Sequence, residues 1–291
     1  MSLPGPIIDA HVHLWDPARL RYPWLAAVPD LAHRHTLDGF AAATGGLPIT
    51  RRVFVQCECD PAQAREEVTW VAAMAGIDAI VAYAPLERGE PSASELQWLA
   101  GQPKVRGVRR VLQGERAADF CLQPGFVAGV RALARHGFTF DLCIRHDQLG
   151  AAAELVRRCP EVTFVLDHLG KPAIKDRIFD PWRAQLAQLA EHPNVVAKLS
   201  GLTTEADAVA WTPADLRPYV EHALACFGWD RLLFGGDWPV VELAGGYPRW
   251  AAALATLIEP ATQTQHRALL HDNAARVYRL APTTSHVLAA K

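Results

Sequence analysis

The chain has 291 residues, enough for two small domains or for one α/β barrel of roughly 250 residues. Hydrophobic residues make up 50% and charged residues 21%, a balance that supplies a full core. A formal net charge of −2 leaves no basic footprint for nucleic acid or an anionic membrane, and no apolar run approaches the ~18 residues of a membrane span. No signal-peptide pattern opens the chain, and Cys57, Cys59, Cys121, Cys143, Cys159 and Cys226 lack the spacing of a disulfide framework or a zinc ribbon. Reduced thiols and a cytoplasmic location are expected.

In chain order, short runs rich in Val, Ile, Leu and Phe alternate with helical patterns. The first run, 7–14, precedes a long polar and aromatic stretch (15–50) carrying Tyr22, Trp24, His33 and His35. A loop of that length after a strand commonly forms a rim or lid over an active site. The pattern then becomes regular. Runs at 52–58, 79–86, 105–112, 138–145, 163–170, 195–202 and 231–239 are each followed by a helical pattern, at 61–76, 92–100, 124–136, 147–159, 180–191, 213–227 and 247–258. A last helix is expected over 262–279. Gly76, Gly101 and Gly137 stand at helix C-termini, and Pro160 and Pro193 lie just beyond others. Eight strand–helix units imply right-handed crossovers and a parallel sheet, and favour closure into a (β/α)8 TIM barrel elaborated by the long loop after strand 1. No linker or repeat divides the chain, so one domain is expected over 1–291, with its core at about 7–280 and a weakly ordered tail at 281–291.

Three polar stretches interrupt the apolar runs at strand ends: Asp9-Ala10-His11-Val12-His13, Leu166-Asp167-His168-Leu169-Gly170 and Phe234-Gly235-Gly236-Asp237-Trp238-Pro239. Burying such groups is costly unless they are paired. Parallel-barrel enzymes collect their chemistry at the C-terminal ends of their strands. Residues two apart share a strand face, so strict alternation puts Asp9, His11 and His13 inside the barrel and Ile8, Ala10, Val12 and Leu14 against the helices. The same rule groups Leu233 and Gly235 with Asp237, and Phe164 and Leu166 with His168. It turns Asp167 toward the helices in a structural role. Two histidines at this spacing can address one metal ion or one substrate carbonyl, and an adjacent carboxylate can act as a general base toward water.

The segments D-A-H-V-H-L-W, G-V-R-R, F-D-L, L-D-H-L-G-K-P, K-L-S-G-L, F-G-G-D-W-P and N-A-A-R-V-Y-R-L occur in the order seen in the amidohydrolase superfamily. From Ile7 to about Leu280 the chain resembles the amidohydrolase 2 branch, which contains sugar-lactone and pyrone-dicarboxylate lactonases. That resemblance implies a (β/α)8 barrel and hydrolysis of a cyclic ester. The chain also departs from the metal-dependent members of the superfamily. The fourth strand offers Arg109 and Arg110 where a bridging lysine or metal-binding glutamate is usual, and His146 lies at the edge of the fifth strand. A binuclear centre is not expected. His11, His13, His168 and Asp237 could hold one zinc ion, because three or four N/O ligands with an open position suit a catalytic site. No cofactor is expected to be obligatory, since the branch resembled is expected to work without an essential metal.

The leading expectation is a lactonase that opens an aldono-lactone such as L-fucono-1,4-lactone. Asp237 serves as general base, and His11, His13 and His168 polarise the carbonyl. A zinc-dependent decarboxylase of the same superfamily and a non-catalytic sugar-acid-binding barrel are the alternatives. Arg109, Lys198 and Arg145 are candidate substrate ligands, with structural pairing to Asp141 or Glu58 as the competing reading. Trp15, Trp24 and Trp238 are candidates for stacking on a sugar ring. Gln56 and Glu58 offer hydrogen bonds, and Lys171 is read as rim decoration. The expected partner is a small-molecule lactone, with no nucleic acid and no membrane; the sequence does not set an oligomeric state.

Overall fold

A computed structural model describes residues 2–281. Eight strands run in sequence order around one parallel sheet: β1 (Ile7–Val12), β2 (Ile49–Val55), β3 (Ala79–Ala82), β4 (Val105–Val108), β5 (Thr139–Leu142), β6 (Phe164–Leu166), β7 (Val195–Leu199) and β8 (Leu232–Phe234). The sheet is nearly closed at the mouth. There His13 N–H donates to the Trp238 carbonyl (2.8 Å), and Asp237 N–H donates to the His11 carbonyl (2.9 Å). Helix α1 (Leu37–Ala43) lies in the connection before β2. The crossovers are α2 (Ala64–Ala72), α3 (Ala93–Ala100), α4 (Pro124–Ala132), α5 (Leu149–Arg158), α6 (Trp182–Ala190) and α7 (Pro213–Phe227), and α8 (Tyr247–Leu257) follows β8. This is the expected (β/α)8 TIM barrel. The helix expected over 262–279 is broken into α9 (Gln263–Arg267), a wide π turn and α10 (Asn273–Val277). The tail expected to be weakly ordered falls almost wholly at 282–291, outside the described residues.

Alternate strand positions feed two apolar layers. Ile7, Phe54, Ile80, Phe140, Phe164 and Phe234 pack against the helices. Ile8, Ala10, Val53, Val55, Val165 and Leu233 form a separate cluster with Val277 and Tyr278, and these fill the barrel interior from its floor. The first strand departs from strict alternation. Asp9 pairs with Arg52 and Val12 with Phe54, so β1 spends three steps where β2 spends two. This bulge resets the faces. Ile8 and Ala10 point into the barrel, not toward the helices, and His11 and His13 follow them inside. Asp9 points outward, accepting hydrogen bonds from Gly236 N–H (2.8 Å), His11 N–H (3.0 Å) and the Tyr247 hydroxyl (2.8 Å). None of the six cysteines is bonded to another.

Candidate active site

The barrel fixes each chemical group at a strand's C-terminal end, as parallel barrels do. His11 and His13 belong to the bulged end of β1, Arg109 follows β4, Asp167 and His168 follow β6, and Asp237 follows β8. All six are buried. The three imidazoles converge on one carboxylate oxygen. Asp237 Oδ1 lies 3.6 Å from His11 Nε2, 3.6 Å from His13 Nε2 and 3.9 Å from His168 Nε2.

Local backbone makes this convergence possible. Asp237 has φ +56 and His168 has φ +55, left-handed values that cost a side-chain-bearing residue roughly 1–3 kcal/mol and concentrate at functional sites. The turn at His168 breaks the alternation of β6. Asp167 does not point to the helices: Phe164 and Leu166 do, so alternation carries Val165 and Asp167 into the barrel, and the left-handed turn brings His168 in after them. Gly201 supplies the space: a Cβ there would stand 2.4 Å from His168 Nδ1. The His168 ring is anchored through Nδ1 on the Ser200 hydroxyl (2.9 Å).

Beneath the imidazoles lies an ionic network. Lys198 places its ammonium 2.7 Å from Asp141, 2.9 Å from Asp167 and 3.2 Å from His11 Nδ1. Arg109 reaches Asp167 (3.2 Å) and the Gln56 carbonyl (2.6 Å). The Tyr278 hydroxyl donates to Asp141 from below (2.8 Å). The pairing of Lys198 with Asp141 is thus structural, as the competing reading held, and it also touches His11.

Burial decides most protonation states. It opposes charge on Asp237, but the three histidines outweigh it and hold this carboxyl well below the usual range. Burial pushes His168 down to about 4 and His11 well below the ordinary imidazole value, so both rings are neutral near pH 7. Burial also opposes ionisation of Asp167, but Lys198, His11 and Arg109 prevail and keep it a carboxylate.

Tautomers follow from the partners. His13 Nδ1 lies 2.7 Å from the Val55 carbonyl, so it carries the proton and leaves the Nε2 lone pair facing inward. His11 has two options. Its Nδ1 can accept from Lys198, which puts a proton on Nε2 for His13 Nε2 at 3.1 Å. Alternatively, Nδ1–H faces Asp167 at 3.3 Å and frees the Nε2 lone pair.

A cavity of 160 Å³ opens above these groups, lined by His13, His168, Asp237, Arg109, Trp15 and Trp24. Wider depressions lie elsewhere, one of 510 Å³ beside Pro4 and Arg267 near the start of β1, but they bring together no comparable chemistry. The loop after β1 supplies Trp15 and Trp24, and so forms the rim expected of it. Trp238 is different. With Asp237 turned inward its neighbour turns out, packing against Phe40 and His35 instead of a substrate (centroids 5.7 and 5.3 Å). Arg145 lies beyond the end of β5, exposed and paired with Asp147 at 3.1 Å, and does not reach the cavity. Lys171 does reach it, with its ammonium 3.6 Å from Glu205, and so is more than rim decoration. Cys57, Cys143 and Gln113 are further wall residues that sequence alone did not single out.

Residues 8–280 match the sequence model of the amidohydrolase family. The chain belongs to the amidohydrolase family. Similar proteins include the L-fucono-1,5-lactonases of Burkholderia ambifaria (33% identity, 85% of each chain) and Burkholderia multivorans (32% identity, 94% of this chain and 96% of that one). A crystal structure of an amidohydrolase from Burkholderia multivorans with bound zinc has a TM-score of 0.85 at 31% identity, covering 95% of this chain and 100% of that one. In this amidohydrolase, the ligand atoms of His11, His13 and Asp237 lie within 4.8 Å of one another. Zinc with bonds of ~2.0–2.1 Å to tetrahedral N and O donors needs such atoms about 3.3 Å apart. The observed separations of 3.1, 3.6 and 3.6 Å fit that requirement, provided His11 adopts the tautomer facing Asp167.

Proposed function

We propose that this amidohydrolase opens the ring of a sugar lactone, an aldono-lactone such as L-fucono-1,4-lactone, by adding water to the ester carbonyl. The observation that carries the reading is the convergence of three imidazoles on the Asp237 carboxylate, with His13, His168 and Asp237 opening onto a single small cavity. The similarity to two L-fucono-1,5-lactonases supports the choice of ester.

Asp237 is ionised throughout the range in which lactones survive, and it takes a proton from the attacking water. The water oxygen bonds to the carbonyl carbon, and charge develops on the carbonyl oxygen. His168, whose Nε2–H faces inward when Nδ1 accepts from Ser200, polarises that oxygen, with the Arg109 guanidinium and Lys171 ammonium adding favourable field, whereas the lone pairs of His11 and His13 act on it only through a bound metal ion. As the ring C–O bond breaks, protonated Asp237 returns its proton to the departing alkoxide, giving one hydroxyl and one carboxylic acid. Trp24 presents a flat wall to the sugar ring, with the fully buried Trp15 packed behind it. When bound by His11, His13 and Asp237, a zinc ion would supply Lewis-acid polarisation at the same oxygen, with His168 outside its ligand set.

The test is turnover of five- and six-membered sugar lactones, followed with a pH indicator and corrected for spontaneous opening. Asp237→Asn and His168→Asn should each reduce kcat by about 10²–10⁴-fold without unfolding the protein. Near-normal turnover by Asp237→Asn would remove the base from the mechanism. Parallel assays with a chelator, then with zinc restored, separate the metal-free from the zinc-assisted form.

A further inference from the structure

The catalytic cavity does not end at the lactone. It continues into an open groove of 490 Å³ that shares Trp24, Glu58 and Val111 with it and adds Tyr83, Arg88 and Arg110. Ligand sites commonly occupy ~300–1,000 Å³. The 160 Å³ cavity falls below that range alone, and with the groove it falls inside.

The groove has built walls. The Trp24 indole N–H donates to the Cys57 carbonyl (2.8 Å), fixing the ring between the two compartments. Arg110 is held by Glu87 (3.2 Å) and Glu115 (2.6 Å) beside the Phe120 ring. Three groups facing the groove retain hydrogen-bonding capacity. The half-buried Tyr83 hydroxyl, the exposed Arg88 guanidinium and the Glu58 carboxylate have no partner among the described residues. Glu58 stands at the junction with φ +51, a left-handed turn secured by its N–H on Gln56 Oε1 (2.6 Å). Gln56 itself lines the groove, is 1% exposed, and its Nε2 has no partner.

Two carboxylates, Glu58 and Glu87, balance two guanidiniums, Arg88 and Arg110, so the groove favours a ligand without net charge. Fixed aromatic faces interleaved with hydroxyl, carboxylate and guanidinium groups suit a ring that is apolar on its faces and rich in hydroxyls at its edge. We propose that the groove is a second sugar subsite, and that the enzyme takes lactones bearing a glycosyl substituent. The lactone ring enters the cavity and the second ring lies against Trp24 and Tyr83. This rests on the lactonase reading above.

The experiment compares kcat/KM for gluconolactone with that for cellobiono-, maltobiono- and lactobionolactone, which add a second ring to it and differ in anomer or in the added sugar. At least one disaccharide lactone should exceed its parent monosaccharide lactone by about ten-fold, the value of one good polar contact. Tyr83→Ala and Arg88→Ala, both remote from the catalytic groups, should each remove about ten-fold from the disaccharide rate and leave the monosaccharide rate within about two-fold. Monosaccharide turnover with no disaccharide advantage overturns the subsite and leaves the lactonase reading standing. Variants that slow both substrates equally also overturn it. Failure of every lactone, with L-fucono-1,4-lactone run alongside, overturns both readings.

Discussion

Lys198 is the residue on which the interior of the barrel depends most. Its ammonium is fully buried, 2.7 Å from Asp141 and 2.9 Å from Asp167. Burial works against its charge, but the two carboxylates outweigh it and hold its pKa above the ordinary lysine value. Lys198→Met keeps most of the stem's volume and deletes the charge. Asp167 then retains Arg109 at 3.2 Å, whereas Asp141 is left with two neutral donors, the Tyr278 hydroxyl at 2.8 Å and the Thr139 hydroxyl at 3.1 Å. Removing one partner of a buried ion pair costs ~3–5 kcal/mol, a large share of the ~5–15 kcal/mol that stabilises a typical protein. Lys198→Met should therefore lower the urea midpoint sharply, measured by circular dichroism. Adding Asp141→Asn removes the stranded charge and should recover about half of the loss, because contacting residues are not additive. A second effect is expected at His11. Without the ammonium at 3.2 Å, its Nδ1 has only Asp167 to face, at 3.3 Å, which places the proton on Nδ1. The variant should retain zinc more tightly through dialysis, and the His11 ring nitrogens should exchange chemical shifts in ¹⁵N spectra. A single variant within about 1 kcal/mol of the parent, or a double variant no more stable than the single one, would refute this account of the network.

Gly201→Ala forces a Cβ onto a φ of +62 and within 2.4 Å of His168 Nδ1, so under the proposed mechanism kcat should fall by about 10²-fold, the cost of a ~1 Å misplacement. A kcat near the parent's would mean that the His168 ring is free to move. Tyr247→Phe deletes a 2.8 Å hydrogen bond to Asp9 and should cost ~1–3 kcal/mol of stability while leaving kcat unchanged, because Asp9 lies outside the barrel. A large loss of kcat without loss of stability would place Asp9 in the site instead. Burial pushes Glu67 up to about 7, with the Cys57 N–H pulling the other way, and its Oε2 has no partner. The folded state therefore holds this proton longer than the unfolded chain, and stability declines as pH rises from the ordinary carboxylate range through about 7. At ~1.4 kcal/mol per pKa unit the full penalty is about 3 kcal/mol. Glu67→Gln should raise Tm clearly at pH 8 and little at pH 4; equal effects at both values would exclude the buried carboxylate as the cause.

Eight strand–helix units and the four converging side chains were legible in the sequence, because both follow from periodicity and from polar groups placed where a buried strand would otherwise be apolar. Orientation was legible only where the two-residue period runs unbroken. Past β8 the sides still alternate although Asp237 itself is left-handed, so Asp237 faces inward and Trp238 outward. At β6 the period runs through Asp167 and breaks at His168, and a histidine in a left-handed turn leaves no mark in residue type, as a glycine would. Alternation counted back from an inward His168 therefore turns Asp167 the wrong way. In β1 a single additional residue inverts the faces of Ile8, Asp9 and Ala10 and spares those of His11 and His13. The bulge has a chemical consequence. Without it Asp9 would enter the barrel beside Asp141 and Asp167, adding a third buried carboxylate to a network with two cations, Lys198 and Arg109. Turned outward, Asp9 ties β1 to Gly236 across the closing edge of the barrel (2.8 Å), one residue before Asp237. The irregularity that defeats strict alternation therefore keeps a further carboxylate away from Lys198 and Arg109 and anchors the backbone that presents Asp237.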